Sequence, residues 1–331
     1  MKHLLLIPLL VLFSCDEAFS PSAPGEPKMV LYSILTTESD TQYVRVYSTY
    51  VPPGNDPLKN PEDRPVTDAT VTMSDRTTIV IFRNVSVPRS DKSRYASDIS
   101  AYMAYPFRAK NNTTYTLTAT SPTLGSATST ATVPGRGEIS IPYFYYLDNP
   151  WRYSGLSPTA SLKLSPLATA FMVKLFIEYE ARGDDLRQHI MRWEVPAKLD
   201  VVSCPHEIYR FNYPKLKRRS TPSVSRIDQR DAFGFTHFAY RRSMEMISER
   251  NLYVKYRRVV YYLIQFDETW YRYYGVANAV SDKFTVRLDE PDFTNIQSGV
   301  GVFASLTVDS IDFGLPEIMP LPRSDVITPC K

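Results

Sequence analysis

From Met29 to Val133 the chain repeats one pattern, short runs of alternating apolar and polar residues, each closed by proline, glycine or a polar cluster. Alternation with a period of two sends successive side chains to opposite faces of a strand, and it gives a helix no apolar stripe. Val30, Tyr32 and Ile34 share one face of the first run, and Val44 and Val46 share a face within Tyr43 to Tyr47. Ala69 to Met73, Ile79 to Phe82, Tyr115 to Ala119 and Ala127 to Val133 continue the series. Short strands separated by turns over ~100 residues predict a β-sandwich, so an immunoglobulin-like sandwich is expected over 28–136. Composition points the same way: 23 Tyr and 16 Phe stand beside only 12 Gly, and 26 Pro are spread along the chain. Aromatic residues favour strands and scattered prolines interrupt helices. The expected fold class is mainly β.

The remainder, 137–331, reads as a second β-rich domain with one or two short helices. Ala160 to Leu164, Phe171 to Tyr179, His189 to Val195 and Glu207 to Tyr213 are strand-like. In the second of these, Met172, Lys174, Phe176 and Glu178 oppose the apolar set Val173, Leu175, Ile177 and Tyr179, the mark of a half-buried strand. Asn251 to Phe266 is dense in β-formers. It ends at Asp267, a good helix N-cap followed by Glu268 in the first turn. Trp270, Tyr273, Tyr274 and Ala277 then fall at the spacing of one helical face, which predicts a short helix packed on the sheet. A final alternating strand begins near Gly299 and runs to about Ile311.

The N-terminus is of another kind. Lys2 and His3 precede an apolar run from Leu4 to Phe13 that is too short to cross a bilayer, which needs roughly 20 residues. It reads as a secretory signal over 1–14. The run ends in Leu12-Phe13-Ser14-Cys15, which looks like a bacterial lipobox, so cleavage before Cys15 and diacylation of that cysteine are expected. A lipid anchor of more than one chain is stable, because each buried methylene contributes about 0.8 kcal/mol. Residues 15–27 form a lipidated tether rich in proline and serine. Asp16 and Glu17, directly after the cysteine, resemble the acidic export signal of Bacteroidota surface lipoproteins. They predict an outer-membrane address facing the cell exterior.

A net charge of +3, from 38 basic and 35 acidic residues, selects no highly charged partner. The basic stretch from Arg210 to Arg230 reads as a solvated loop, a contact for anionic headgroups or a contact for an acidic partner; nucleic acid is excluded for an exported chain. With Cys15 assigned to lipid, Cys204 and Cys330 form an even remainder, which suggests a disulfide in an exported protein. Two unpaired thiols are the alternative. Tyr143, Phe144, Tyr145, Tyr146, Trp151 and Tyr153 crowd the junction between the halves. They can stack on sugar rings or apolar ligands, or pack one domain on the other.

Motifs that carry chemistry are few. His206-Glu207 starts like a zinc-protease helix, but the position of the second histidine is Arg210. Gly299 to Ala304 matches G-x-G-x-x-A formally, yet it opens a strand rather than a helix. Asp184-Asp185, Asp267-Glu268 and Asp289-Glu290 are adjacent acids, and neighbours on a strand point to opposite faces, so none is a glycosidase pair. No catalytic residue, metal ligand or cofactor site is assigned.

Two sets of residues carry a resemblance. Glu268 to Tyr274, Glu290-Pro291, Asn295-Ile296 and Gly299 to Phe303 form one; Pro65 to Val71 and Thr113 to Leu117 form the other. Together they resemble the Bacteroidota outer-membrane lipoprotein family catalogued as domain of unknown function 4249; 135–251 carries none of the likeness. The resemblance implies a surface lipoprotein commonly encoded beside a TonB-dependent transporter, and it brings no catalytic residues. The expected function is a binding or accessory module of such a transport system. The alternatives are a structural or adhesive surface protein and, third, a glycan-processing hydrolase.

Overall fold

The computed structural model describes residues 26–50, 63–90, 92–93, 95–141, 159–182, 187–203, 208–220, 231–251, 253–279 and 293–315. The fold is mainly β, as the alternation predicts. The first part of the chain supplies β1 (Met29–Thr36), β2 (Gln42–Ser48), β3 (Thr70–Ser74), β4 (Ile79–Val87), β5 (Ile99–Ala104), β6 (Thr114–Ser121) and β7 (Gly125–Thr132). There follow β8 (Glu138–Ser140), β9 (Thr159–Lys163), β10 (Ala170–Arg182), β11 (Gln188–Val195), β12 (Lys198–Ser203), β13 (Ile208–Asn212), β14 (Lys217–Arg218) and β15 (Asp231–Gly234). Helix α1 (His237–Arg250), β16 (Val254–Phe266), helix α2 (Glu268–Ala279) and β17 (Gly299–Gly314) complete the described elements.

One hydrogen-bonded path runs β11-β10-β16-β17-β1-β2-β5-β4-β3-β6-β7. Its pivot is β17. The first half of that strand lies parallel to β1, from Met29↔Gly299 to Thr36↔Leu306, and the second half lies antiparallel to β16, from Phe266↔Leu306 to Arg258↔Gly314. A strand that changes partner midway ties two cores together. Leu31, Leu35, Val44, Val46, Met73, Leu117 and Phe303 belong to the first, and Phe171, Val173, Leu175, Ile177, Val259, Tyr261 and Leu263 to the second. Each such side chain contributes about 1.5–3 kcal/mol when fully buried. The first core thus draws Phe303 from the far end of the chain. Its wall closes where Thr128 and Gln297 exchange backbone hydrogen bonds of 3.2 and 2.8 Å, returning β7 to the lead-in of β17.

The junction between the cores is polar and satisfied. Gln265, fully buried, accepts from the Ser165 amide at 2.7 Å and donates to the Gly135 carbonyl and to Asp309 Oδ2, both at 3.1 Å. Asp309 Oδ2 also accepts from the Gly137 amide at 2.8 Å. A buried polar group without partners costs about 1–3 kcal/mol, whereas a completed network fixes one geometry. The junction is therefore rigid, which matters for what is mounted on it.

Six elements, β5, β8, β12, β14, β15 and helix α1, stand at positions that the sequence expectation did not mark. β5 continues the sheet between β2 and β4, and Ile99 to Ala104 does not alternate, since the neighbours Ala101 and Tyr102 are both buried. Helix α1 is capped by Thr236, whose Oγ1 accepts from the Ala239 amide at 3.3 Å, and it buries Tyr240, Ser243, Met244 and Ile247. Those four positions follow helical spacing, so the signal was present in the sequence.

Candidate functional site

β17 presents Phe303, Ser305 and Thr307 to the interior and therefore Val302, Ala304 and Leu306 to the opposite, outer face. Val302, Tyr32 and Arg45 line up across three strands as register partners on that face. Ile34 and Tyr43 stand beside them. β1 is apolar on both sides: Met29, Leu31 and Leu35 fill the core, while Tyr32 and Ile34 remain 43% and 39% exposed and Tyr43 on β2 44% exposed. Rings and a β-branched chain kept half in water on a rigid sheet are a surface available for contact.

Helix α2 packs against β17 and turns this surface into a groove. Its Trp270 and Tyr273 form the second wall, and with Tyr32, Ser33, Ile34, Tyr43, Arg45 and Val302 they enclose about 390 Å³. That is the range of small-molecule pockets, which run to roughly 300–1,000 Å³. Trp270 is itself backed by Phe266, stacked with ring centroids 5.8 Å apart and planes 14° from parallel.

Asp267 fixes the helix on the sheet. Its Oδ1 accepts from the Trp270 amide at 2.8 Å, the N-cap bond expected from the sequence, and Oδ2 accepts from the Ser305 amide at 2.7 Å. Ser305 Oγ lies 2.8 Å from the same Oδ2 and 2.9 Å from the Thr132 carbonyl oxygen. Burial pushes the Asp267 carboxyl up to about 6, against the pull of these donors. Glu268, next in the chain, is solvent-exposed and pairs with Arg272. The two adjacent acids thus serve a cap and a surface ion pair, not a catalytic dyad.

Arg45 is the one cation among the described residues of the groove wall. Its Nη2 and Nε reach Tyr47 Oη at 2.8 and 3.3 Å, and the guanidinium lies 4.7 Å from the Tyr47 ring centroid. Asp63 sits beyond Tyr47 and is held by Arg89 at 2.5 Å. No carboxylate among the described residues forms an ion pair with Arg45.

Other features are less site-like. A larger opening of about 770 Å³ between Lys28, Tyr50 and Arg64 borders 51–62, so its walls are incomplete among the described residues. On the outer face of β10, Glu178 is clasped by Arg258 at 2.5 Å and Arg192 at 2.6 Å. Burial pushes the Glu178 carboxyl up, but the two guanidinium groups outweigh it and hold it below the ordinary value. Both oxygens are engaged, which suits a structural clasp. No cluster of three or more His, Cys, Asp or Glu side chains arranged for a metal ion occurs among the described residues. Gly301 explains the discarded glycine motif: its φ is +115°, and a Cβ there would lie 2.0 Å from the Leu31 carbonyl oxygen. The glycine lets β17 lie against β1.

The residues singled out from sequence, Cys15, Asp16, Glu17, Cys204, Cys330, Tyr143, Phe144, Tyr145, Tyr146, Trp151 and Tyr153, all lie outside the described residues. Of the groove, alternation groups Tyr32 with Ile34 and helical spacing groups Trp270 with Tyr273, and neither pattern brings the two pairs together. Arg45 was missed; its cross-strand pairing with Tyr32 was the signal that only the register makes visible.

Fold and site together define a mainly β protein with an aromatic groove between sheet and helix. The chain belongs to the family described as Domain of unknown function (DUF4249), whose model matches residues 16–312. No curated protein matches it. Among solved structures, the C-terminal globular domain of an oligosaccharyltransferase from Pyrococcus abyssi aligns at 8% identity with a TM-score of 0.20, covering 88% of this chain. The chain spans 48% of that protein's length, and a likeness this low carries no argument.

Proposed function

We propose that this chain is a lipoprotein of the outer membrane, anchored through Cys15, displayed on the cell exterior, and acting as a ligand-binding or accessory module of a TonB-dependent transport system. The anchor rests on the apolar run and Ser14-Cys15, and the outward address on Asp16 and Glu17. The transporter rests on the resemblance to Bacteroidota lipoproteins. The observation that carries a binding role is the groove: four aromatic side chains, Tyr32, Tyr43, Trp270 and Tyr273, converge beside Arg45 on the sheet. Aromatic walls supply contact area at small entropic cost because their rings have few rotatable bonds. The binding reading gives no catalytic role to the acids that open α2: Asp267 caps the helix and Glu268 pairs with Arg272.

The test is purification of the full chain from native membranes in gentle detergent, after growth on radiolabelled fatty acid. Label is expected on the wild-type protein and not on Cys15→Ala, together with recovery of a transporter. Label on Cys15→Ala, or repeated recovery without a transporter, contradicts the proposal.

A further inference from the structure

We infer that the groove takes a ligand of one chemical class, an apolar or aromatic body carrying a single anionic group. The inference rests on the reading of the groove as the ligand site and adds what fills it. Tyr32, Ile34, Tyr43, Trp270, Tyr273 and Val302 make the walls, so a bound molecule meets rings and methyl groups over most of its surface. Contact of that kind rewards an apolar body and gives nothing to a strongly hydrated one.

Arg45 sets the second requirement. A guanidinium carries five N–H donors, and Arg45 aims only those of Nη2 and Nε at Tyr47 Oη. Asp63 is separated from it by Tyr47 and bound to Arg89. The positive charge therefore stands at the groove without a carboxylate of its own among the described residues. A planar anion such as a carboxylate matches the guanidinium fork, and charge-assisted bonds are the stronger kind. Register places Arg45 beside Tyr32, so an anionic group on Arg45 directs the attached body over the Tyr32 ring and towards Val302.

The experiment compares 2-naphthoate with 2-naphthamide, which share body and shape and differ in charge. Binding is followed calorimetrically on the full chain in phosphatidylcholine nanodiscs, with empty nanodiscs as the blank. The acid is expected to bind the wild type at least about tenfold more tightly than the amide, the scale of one charge-assisted bond. Arg45→Gln should erase that preference, and Arg45→Lys should keep part of it. Tyr43→Ser, checked for an unchanged thermal midpoint, should weaken both ligands. Equal binding of acid and amide by the wild type, with both lost in Tyr43→Ser, overturns the anionic class and leaves the groove as the ligand site. Binding of neither, or binding indifferent to Tyr43→Ser, overturns the groove itself.

Discussion

Asp267 and Ser305 are joined twice, through the Ser305 amide at 2.7 Å and the Ser305 hydroxyl at 2.8 Å, both to Asp267 Oδ2. The pair fastens the start of α2 to the strand that links both cores. Its proton count is informative. The hydroxyl has one hydrogen and two acceptors in reach, Asp267 Oδ2 and the Thr132 carbonyl oxygen. When Asp267 is protonated, it can donate to Ser305 Oγ, which then donates to Thr132, and every partner is served. Burial favours the acid form and outweighs the donors from Trp270 and Ser305, which leaves the value pushed up to about 6.

A pH dependence follows. An acid whose value is higher in the folded state than its ordinary 3.8 binds extra protons when folded, so its contribution is fully present below about 4 and lost as pH rises through about 6. Denaturant melts of wild type and Asp267→Asn at pH 4 and pH 7 check this. The wild type should gain about 2–3 kcal/mol relative to the variant on acidification, the worth of a shift near two units. A constant difference refutes the assignment.

Glu178 behaves in the opposite sense. Arg258 and Arg192 hold its carboxyl below the ordinary value, so its stabilisation is present above the unfolded value and disappears as pH falls through the lower folded one. Glu178→Gln leaves two guanidinium groups facing an amide and should cost about 1–3 kcal/mol at pH 7. In melts the penalty should shrink towards pH 3; a penalty that grows there contradicts the clasp.

Gly301→Ala should be among the most damaging small substitutions. The new methyl would meet the Leu31 carbonyl oxygen at 2.0 Å, and φ of +115° is a conformation that alanine resists. Since both strands belong to the sheet, relief requires moving β1 from β17, at about 3 kcal/mol or more. A thermal midpoint within a degree of the wild type would show the close approach to be unimportant.

Tyr261→Phe runs the other way. The Tyr261 ring is fully buried against Phe235, and its hydroxyl has no hydrogen-bond partner among the described residues. Burial pushes its ionisation well above the ordinary range. Removing the oxygen removes a desolvation cost, so stability should rise by about 1 kcal/mol. A loss of stability would reveal a partner for that hydroxyl.

What could be read from the sequence divides along a physical line. Alternation specified β2, β3, β6 and β10 with their buried faces, because one face of each is plainly more polar. For β1 it gave the strand but not the inward side, since Leu31 and Leu35 compete with Tyr32 and Ile34, and only docking of α2 decides how much of the outer set stays wet. Asp267 was legible as a helix cap from local chemistry. Its bond to Ser305, and the meeting of Trp270 with Tyr32 across the groove, depend on β17 returning to β1, a parallel pairing between distant segments that no local pattern encodes. The lipobox at Cys15 remains a statement of sequence.

The most direct test of the groove is a methyl spectrum of the full chain in nanodiscs, recorded with and without 2-naphthoate. Ile34 and Val302 line the groove, whereas Leu117 and Leu263 lie in the two cores. Ile34 and Val302 should shift saturably while the core methyl groups stay in place. Unmoved signals from Ile34 and Val302, or larger shifts in the cores, would contradict the groove as the ligand site.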